Sequence, residues 1–534
     1  MRHPVCGAER LDTLARGGLA RDGITAIVAE LVIKLTATEW ARMTLHRLVA
    51  SPLLVALLGA VALAPRGTGA HGEEYDLVLA GGRVLDPETA LDATRNVGIQ
   101  GGRIAAITVQ ALAARETLAV HGLVVAPGFI DLHAHGQDSE SYRYYAHDGV
   151  TTALELEIGT YPVAPWYAER EGHALINYGV SVGHVGARRA LMAHDESLPG
   201  VAAIARDTSR SWTHGALPEA ELPRLDSLVE RGLAEGALAV GFGIEYTPAA
   251  SREEILRLFR VAARHGVSCF VHLREGGRDP ATGGGVAALQ EVIADAAATG
   301  ASLHVVHVTS MGQRDTPLLL QLIHGAREHG LDVTTEAYPY TAASTAIQSA
   351  VFDPGWQRRL GITYHDILYP PTGGRLTAAS FVRLRRQGAT VVLFIIADST
   401  VRQALADPLV MVASDGISPH GHPRLAGTHA RVLGRFVRDS GALSLQDAVR
   451  KMTLLPAQRL ERVVPAMHAK GRIQVGADAD LTVFDAARVV DRATYEHPAQ
   501  FSDGIIHVLV NGVFVVRNGA SVAAYPGRAI RRSP

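Results

Sequence analysis

The chain has 534 residues, too many for one ordinary domain and enough to bury a large core. Its 51 Lys and Arg against 53 Asp and Glu leave a net charge of −2, so no basic surplus speaks for a nucleic-acid partner. An apolar share of 47% excludes disorder and collagen-like or coiled-coil architectures, and two cysteines cannot build a disulfide framework.

In chain order, the first feature is the almost wholly apolar run Leu48–Ala64, preceded by His46-Arg47 and followed by a polar, Gly-rich stretch ending at Thr68-Gly69-Ala70. A basic flank, an apolar run and small residues at a cut describe a secretory signal over 43–70, cleaved near Ala70. Pro52 and the short run argue against an uncleaved membrane anchor. Residues 1–42 then read as an upstream extension with Met43 as the start, a cytoplasmic tail being the alternative. The mature protein is expected in the periplasm or the medium, without stable membrane association after cleavage. It would keep one cysteine, Cys269, and therefore no intrachain disulfide.

From Tyr75 the pattern changes to short β runs broken by Gly pairs: Tyr75–Ala80, Gly81-Gly82, Val97–Gln100, Gly101-Gly102, Arg103–Ile107. Alternation and Gly-rich turns predict antiparallel strands. The same texture returns at Ala479–Phe484, Ile505–Val510 and Val513–Val516, with Asn511-Gly512 as a hairpin signal. Segments 71–127 and 467–534 thus flank a different middle, 128–466. There apolar β runs alternate with helical stretches such as Ser251–His265 and Gly285–Thr299. The β runs include Gly149–Ile158, Ser268–Leu273, Ser302–Thr309, Val333–Tyr338, Val391–Ile396 and Val410–Ser414. This repetition predicts an α/β fold, a (β/α)8 TIM-like barrel, with surplus residues in loops at its catalytic face.

The segment Pro127-Gly128-Phe129-Ile130-Asp131-Leu132-His133-Ala134-His135 carries the most chemistry. Period 2 on a strand puts Asp131, His133 and His135 on one face, so two imidazoles reach one ion. His272, then His304 or His307, then Asp415 each end a later apolar run, where barrel enzymes place catalytic groups. Ligand-type residues ending successive strands in one order point to a metal site.

These motifs resemble the amidohydrolase superfamily, and more closely its N-acyl-D-amino-acid deacylase branch. The resemblance extends through Gly81–Pro87, Tyr338-Pro339-Tyr340-Thr341, Ser414-Asp415-Gly416, His422–Thr428 and Gly476–Leu481. It implies a TIM-like metallo-hydrolase barrel, a small β-sandwich domain from both chain ends, and one or two zinc ions. His133, His135 and Asp415 would hold one ion, and His272 and His307 the other. Such pairs are bridged by a carboxylated lysine, a glutamate or, in this branch, a cysteine. Lys34 precedes the mature chain, Lys451 and Lys470 follow the barrel strands, and Cys269 faces away from His272 on a regular strand. The branch's cysteine segment follows a Gly-Val-Thr-Thr run; here, after Gly149-Val150-Thr151-Thr152, Ile158 stands about where that cysteine would fall. Glu155 and Glu157 share one face of this apolar strand, which is costly unless they are paired or metal-bound. Glu157, nearer the C-terminal end, is the expected bridge and Glu155 the alternative bridge or a partner behind a ligand.

The expected activity is metal-dependent hydrolysis of an amide in a small-molecule substrate, an N-acyl amino acid. Metal-activated water would attack, with Asp415 as general acid and base. Zinc suits this donor set, which also accepts cobalt or manganese. The branch's carboxylate-holding lysine, two residues after the histidine corresponding to His307, is Thr309 here. Arg274, Arg188 and Arg424 are candidates to replace it, with Tyr338, Tyr340 and Ser344 as hydrogen-bonding groups and His184 as a further loop candidate. Alternatives are a one-metal deaminase using the His272-x-x-Glu275 spacing, a cyclic-amide or lactone hydrolase, and a non-catalytic scaffold.

Overall fold

Eight parallel strands form the centre of the chain: Phe129–Asp131, Val150–Thr160, Asn177–Gly183, Val240–Gly243, Ser268–His272, Ser302–Val305, Val333–Ala337 and Val410–Val412. They pair in chain order, and a parallel bridge between Ala134 and Gly416 brings the first and last together, closing a barrel. The computed structural model describes residues 74–196, 201, 204 and 210–532. The expected signal segment 43–70 and extension 1–42 lie outside these residues.

The barrel strands are apolar and almost continuously buried because helices cover the sheet from outside. Local signals set the helix limits. Ser251 caps Arg252–His265 by accepting from the Glu254 amide, and Gly266, at φ +66°, ends it. No helix among the described residues is long and apolar enough to cross a membrane.

A nine-stranded sheet combines the two chain ends. Tyr75–Asp86, Leu91–Gln100, Arg103–Thr108, Ala114–Ala119 and Val124–Pro127 come from one end. Leu481–Phe484, Ile505–Val510, Val513–Arg517 and Ala520–Ser521 come from the other. Val124–Pro127 pairs antiparallel with Leu481–Phe484, and Leu79, Val84, Val125, Leu481 and Leu509 share a core there. Asn511 and Gly512 turn the predicted hairpin with φ of +49° and +80°, the signs of a type I′ turn. Two expectations need correction. Gly81-Gly82 does not end a strand; the first strand runs on through it with a register shift, a bulge that Gly81 accommodates at φ +74°. That strand also pairs parallel, not antiparallel, with Ala114–Ala119 and Val124–Pro127.

The Val391–Ile396 run is not a barrel strand. Its ordered part, Thr390–Leu393, lies in a four-stranded sheet with Ala343–Ala346, Ile367–Tyr369 and Gly374–Arg375, inserted between the seventh and eighth barrel strands. Its apolar character serves a separate core with Ile347, Phe352, Trp356 and Phe381. The insertion leaves from the C-terminal ends of the strands, and Ser344, Thr345, Ala346 and Thr390 face the cavity there.

Candidate metal centre

His133 and His135 lie just past the end of the first barrel strand. The buried carboxylate of Asp131 fixes this turn by accepting from the backbone amides of His133 (3.0 Å) and Ser414 (3.1 Å), which ties the first strand to the last. His272 ends the fifth strand, His307 follows the sixth, and Asp415 follows the eighth. His307 and Asp415 have φ of +31° and +53°, conformations rare for side chains with a Cβ and concentrated at functional sites.

Glu157 belongs to an irregular stretch of the second strand. Pairing with the third strand is regular to Glu155–Val180 and resumes at Thr160–Val182, so extra residues of the second strand bulge between them. Gly183 and Gly241 let the bulged backbone pass; a Cβ would lie 2.2 Å from the Ile158 carbonyl at Gly183 and 2.3 Å from the Glu157 carbonyl at Gly241. The carboxylate then stands between two histidine pairs. Oε1 is 2.7 Å from His272 Nδ1 and 3.0 Å from His307 Nε2, while Oε2 is 3.1 Å from both His133 Nε2 and His135 Nε2. Asp415 Oδ1 lies 3.5 Å and 3.4 Å from the latter two nitrogens.

Three further carboxylates grip these rings from behind. His135 Nδ1 donates to Glu155 at 2.5 Å, His133 Nδ1 to Glu336 at 2.6 Å, and His272 Nε2 to Glu245 at 3.0 Å. Glu336 also accepts from His304 Nε2 at 3.1 Å, which settles the sequence alternative: His307 faces the cluster and His304 sits behind it.

The charge balance fits cations. Glu155, Glu157, Glu245, Glu336 and Asp415 are buried against one guanidinium, Arg424, whose Nη1 is 2.8 Å from Asp415 Oδ2. With neutral imidazoles four negative charges remain, the charge two divalent ions would offset. Burial pulls the His133 and His135 pKa down, yet the acids around them overcome it and hold both well above the usual imidazole range. His272 is pushed up to about 9, Glu157 and Glu245 outweighing burial. Burial pushes the Glu157 carboxyl up, but His133, His135 and His272 hold it well below the carboxylate range. The protons that His133, His135 and His272 retain sit in a cluster where His133 Nε2 is 3.1 Å from His135 Nε2 and His272 Nδ1 is 3.1 Å from His307 Nε2, His307 itself being held below the imidazole range by burial and by His272. Metal ions would displace those protons. His133, His135 and Asp415 form one close donor group, and His133, Glu157 and His307 another.

Above the cluster lies a cavity of about 420 Å³, lined by His135, Glu155, Glu157, His307, Asp415, Tyr246 and Ser344. Tyr338 faces an adjoining space together with Ser344 and Asp415; its hydroxyl is buried beside Ser310 with no close hydrogen bond among the described residues. Arg424 lies over the Tyr338 ring. The remaining substrate candidates are elsewhere. Arg188 is buried in an ion pair with Glu254, which also accepts from His184. Arg274 is clamped to Glu291 and to the Ala250 carbonyl. Tyr340 donates to the Pro423 carbonyl and packs against Arg431 and His422, lining neither space. Glu275, the deaminase candidate, faces Arg359 at 3.8 Å. Cys269 is buried away from the histidines in the main hydrophobic core, its thiol pushed up by burial. Sequence reasoning missed Glu336 and Glu245; the signal for Glu336 is a lone acid in an otherwise uncharged barrel strand.

The amidohydrolase family model matches residues 116–516. The D-aminoacylase of Alcaligenes xylosoxydans xylosoxydans is 32% identical over 515 residues, covering 86% of this chain and 98% of that protein. The N-acyl-D-glutamate deacylase of the same organism is 33% identical over 507 residues, covering 86% and 97%. Among solved structures, the N-acyl-D-glutamate deacylase of Bordetella bronchiseptica, complexed with zinc and a phosphonate mimic of the tetrahedral intermediate, superposes with a TM-score of 0.72. It is 29% identical, with 86% of this chain and all of that one covered.

Proposed function

The chain belongs to the amidohydrolase family, and we propose that it is a metal-dependent N-acyl-amino-acid deacylase. One observation carries this reading: a single buried carboxylate, Glu157, whose two oxygens each serve a different pair of histidines at 2.7–3.1 Å. His133, His135 and Asp415 would hold one ion, His272 and His307 the other, with Glu157 between them and Glu155, Glu245 and Glu336 orienting the rings. The zinc of the Bordetella bronchiseptica structure supports zinc, and the activities for which the two Alcaligenes relatives are named support an N-acyl-D-amino acid as substrate.

A bound divalent ion supplies a Lewis acid for the scissile carbonyl and brings the pKa of a bound water from 15.7 toward about 7. The protein's own part is proton handling and positioning. Arg424 holds Asp415 Oδ2 and, with His133 and His135, keeps the carboxyl ionised in spite of burial. Oδ1 takes the proton of the attacking water and passes it to the departing nitrogen. The hydroxyls of Tyr338 and Ser344 offer hydrogen bonds to the polar substrate, and the inserted sheet shelters the reacting atoms from bulk water.

The test is metal analysis of the purified protein followed by a screen of N-acyl-D- and N-acyl-L-amino acids and dipeptides. Near-stoichiometric divalent metal with release of a free amino acid is expected. Protein that takes up no divalent metal, or one that frees ammonia from heterocyclic amines and cleaves no amide, would defeat the proposal. Export is part of the same reading, supported by the apolar run behind His46-Arg47. N-terminal sequencing of secreted protein should begin near His71.

A further inference from the structure

The most deeply buried arginines among the described residues are held by carboxylates: Arg188 by Glu254, Arg424 by Asp415, Arg459 by Asp332, Arg189 by Asp195, and Arg472 by Glu461 and Glu88. Arg170 differs. Its side chain is only 15% exposed, yet the acid paired with it among the described residues is Glu169 at 3.4 Å, itself 72% exposed. Nη1 donates to the Trp166 carbonyl at 2.5 Å, and the guanidinium lies over the Trp166 ring, 3.9 Å from its centre. The Tyr142 hydroxyl also meets the guanidinium, while the Nε–H is buried with no hydrogen-bond partner among the described residues.

Trp166 and Arg170 both line the cavity that has His135, Glu157, His307 and Asp415 in its wall, and no other Arg or Lys lines it among the described residues. Of the acids in that wall, Glu155, Glu157 and Asp415 are engaged with histidines, and Asp138 accepts from the Ser141 amide at the start of a helix. A mostly desolvated guanidinium whose paired carboxylate, Glu169, is itself solvent-exposed is only weakly compensated, and an anion entering the cavity would add to that compensation. The indole face holds the planar cation flat, the orientation in which a guanidinium edge can meet a carboxylate in its own plane.

We propose that Arg170, laid on Trp166, is the subsite that receives a carboxylate of the substrate. This rests on the deacylase reading of the same cavity. The carboxylate has two sources, the amino-acid half or the acyl half of the molecule, and the chemistry of recognition is shared.

The experiment compares metal-loaded full-length wild type, Arg170→Met and Arg170→Lys on three substrates. These are an N-acetyl amino acid, its carboxamide, and an N-succinyl amino-acid amide whose only carboxylate is on the acyl half. For the acid that uses the subsite, Arg170→Met should lower the ratio of its kcat/KM to that of the N-acetyl carboxamide by about 10–100-fold, with partial recovery in Arg170→Lys. The acid that suffers identifies the source. Ratios within about threefold of wild type for both acids overturn the proposal. A second measurement does not depend on turnover: titration of the same proteins with glutarate, read by tryptophan fluorescence. Saturable quenching that weakens in Arg170→Met and vanishes in Trp166→Phe supports the subsite even if no amide is cleaved, an outcome that would count against the deacylase reading alone. No saturable change in wild type, or an equal one in Arg170→Met, overturns it.

Discussion

Replacing Glu157 by glutamine keeps the side chain's shape and removes its charge from the midpoint of four imidazoles. One carboxylate oxygen serves His272 and His307, the other His133 and His135. The amide presents an oxygen to one pair and an NH2 group to the other, so one donor set loses its anion and meets a donor instead. At 3 Å and an effective dielectric constant of about 20, each unit charge is worth about 5 kcal/mol. With part of that recovered by relaxation and the retained carbonyl, about 4 kcal/mol remains, roughly a 10³-fold weaker hold on one of two ions. Glu155 touches His135 from the far side of the ring, so Glu155→Gln should cost only about 10–100-fold. Equilibration of both variants and wild type against chelator-buffered zinc, with metal counted by mass spectrometry, separates the effects. At a free zinc level where wild type and Glu155→Gln hold two ions, Glu157→Gln should hold one and have lost activity, with circular dichroism verifying the fold. Two ions bound at wild-type affinity in Glu157→Gln, or a larger loss in Glu155→Gln, would refute the bridging role.

Asp415→Asn should lower kcat by about 10²–10⁴-fold on any substrate the protein cleaves, measured at saturating metal so that lost metal is not mistaken for lost proton transfer. Glu254 is buried between His184 and Arg188; burial raises its carboxyl, but these partners overcome that and hold it at about 2, against an ordinary 4.5. That depression contributes about 3 kcal/mol of stability, present above pH 4.5 and lost as pH falls through about 2. Glu254→Gln should therefore be less stable at pH 7 and show a flatter dependence over that window in urea unfolding. Arg274→Ala should leave kcat/KM within about threefold while lowering the melting temperature, because its partner is the buried carboxylate of Glu291. A tenfold or greater rise in KM would return Arg274 to the substrate.

What was legible in the chain was what is local. His133, His135, His272, His307 and Asp415 each end an apolar run, and a polar group closing a buried strand leaves a mark in a few residues of sequence. The same holds for Glu155 and Glu157, whose burial inside a strand demands a partner. Glu336 satisfies that criterion too, but its partners His133 and His304 are 203 and 32 residues away, and no spacing records them. Val391–Ile396 misled for a related reason: an apolar strand reads alike in a barrel and in a side sheet with its own core. The arginines mark the limit of sequence reading. Arg188, Arg274 and Arg170 are equivalent in sequence, and none stands in a motif that fixes its role. Their roles divide on whether a carboxylate reaches them. Glu254 and Glu291, both on packed helices, reach the first two and make them part of the framework. The acid that reaches the third among the described residues, Glu169, is solvent-exposed, which is the ground for the substrate role proposed for that arginine. Helix packing makes that choice, which is why the guanidinium best placed to meet substrate was not among the candidates that spacing alone supplied.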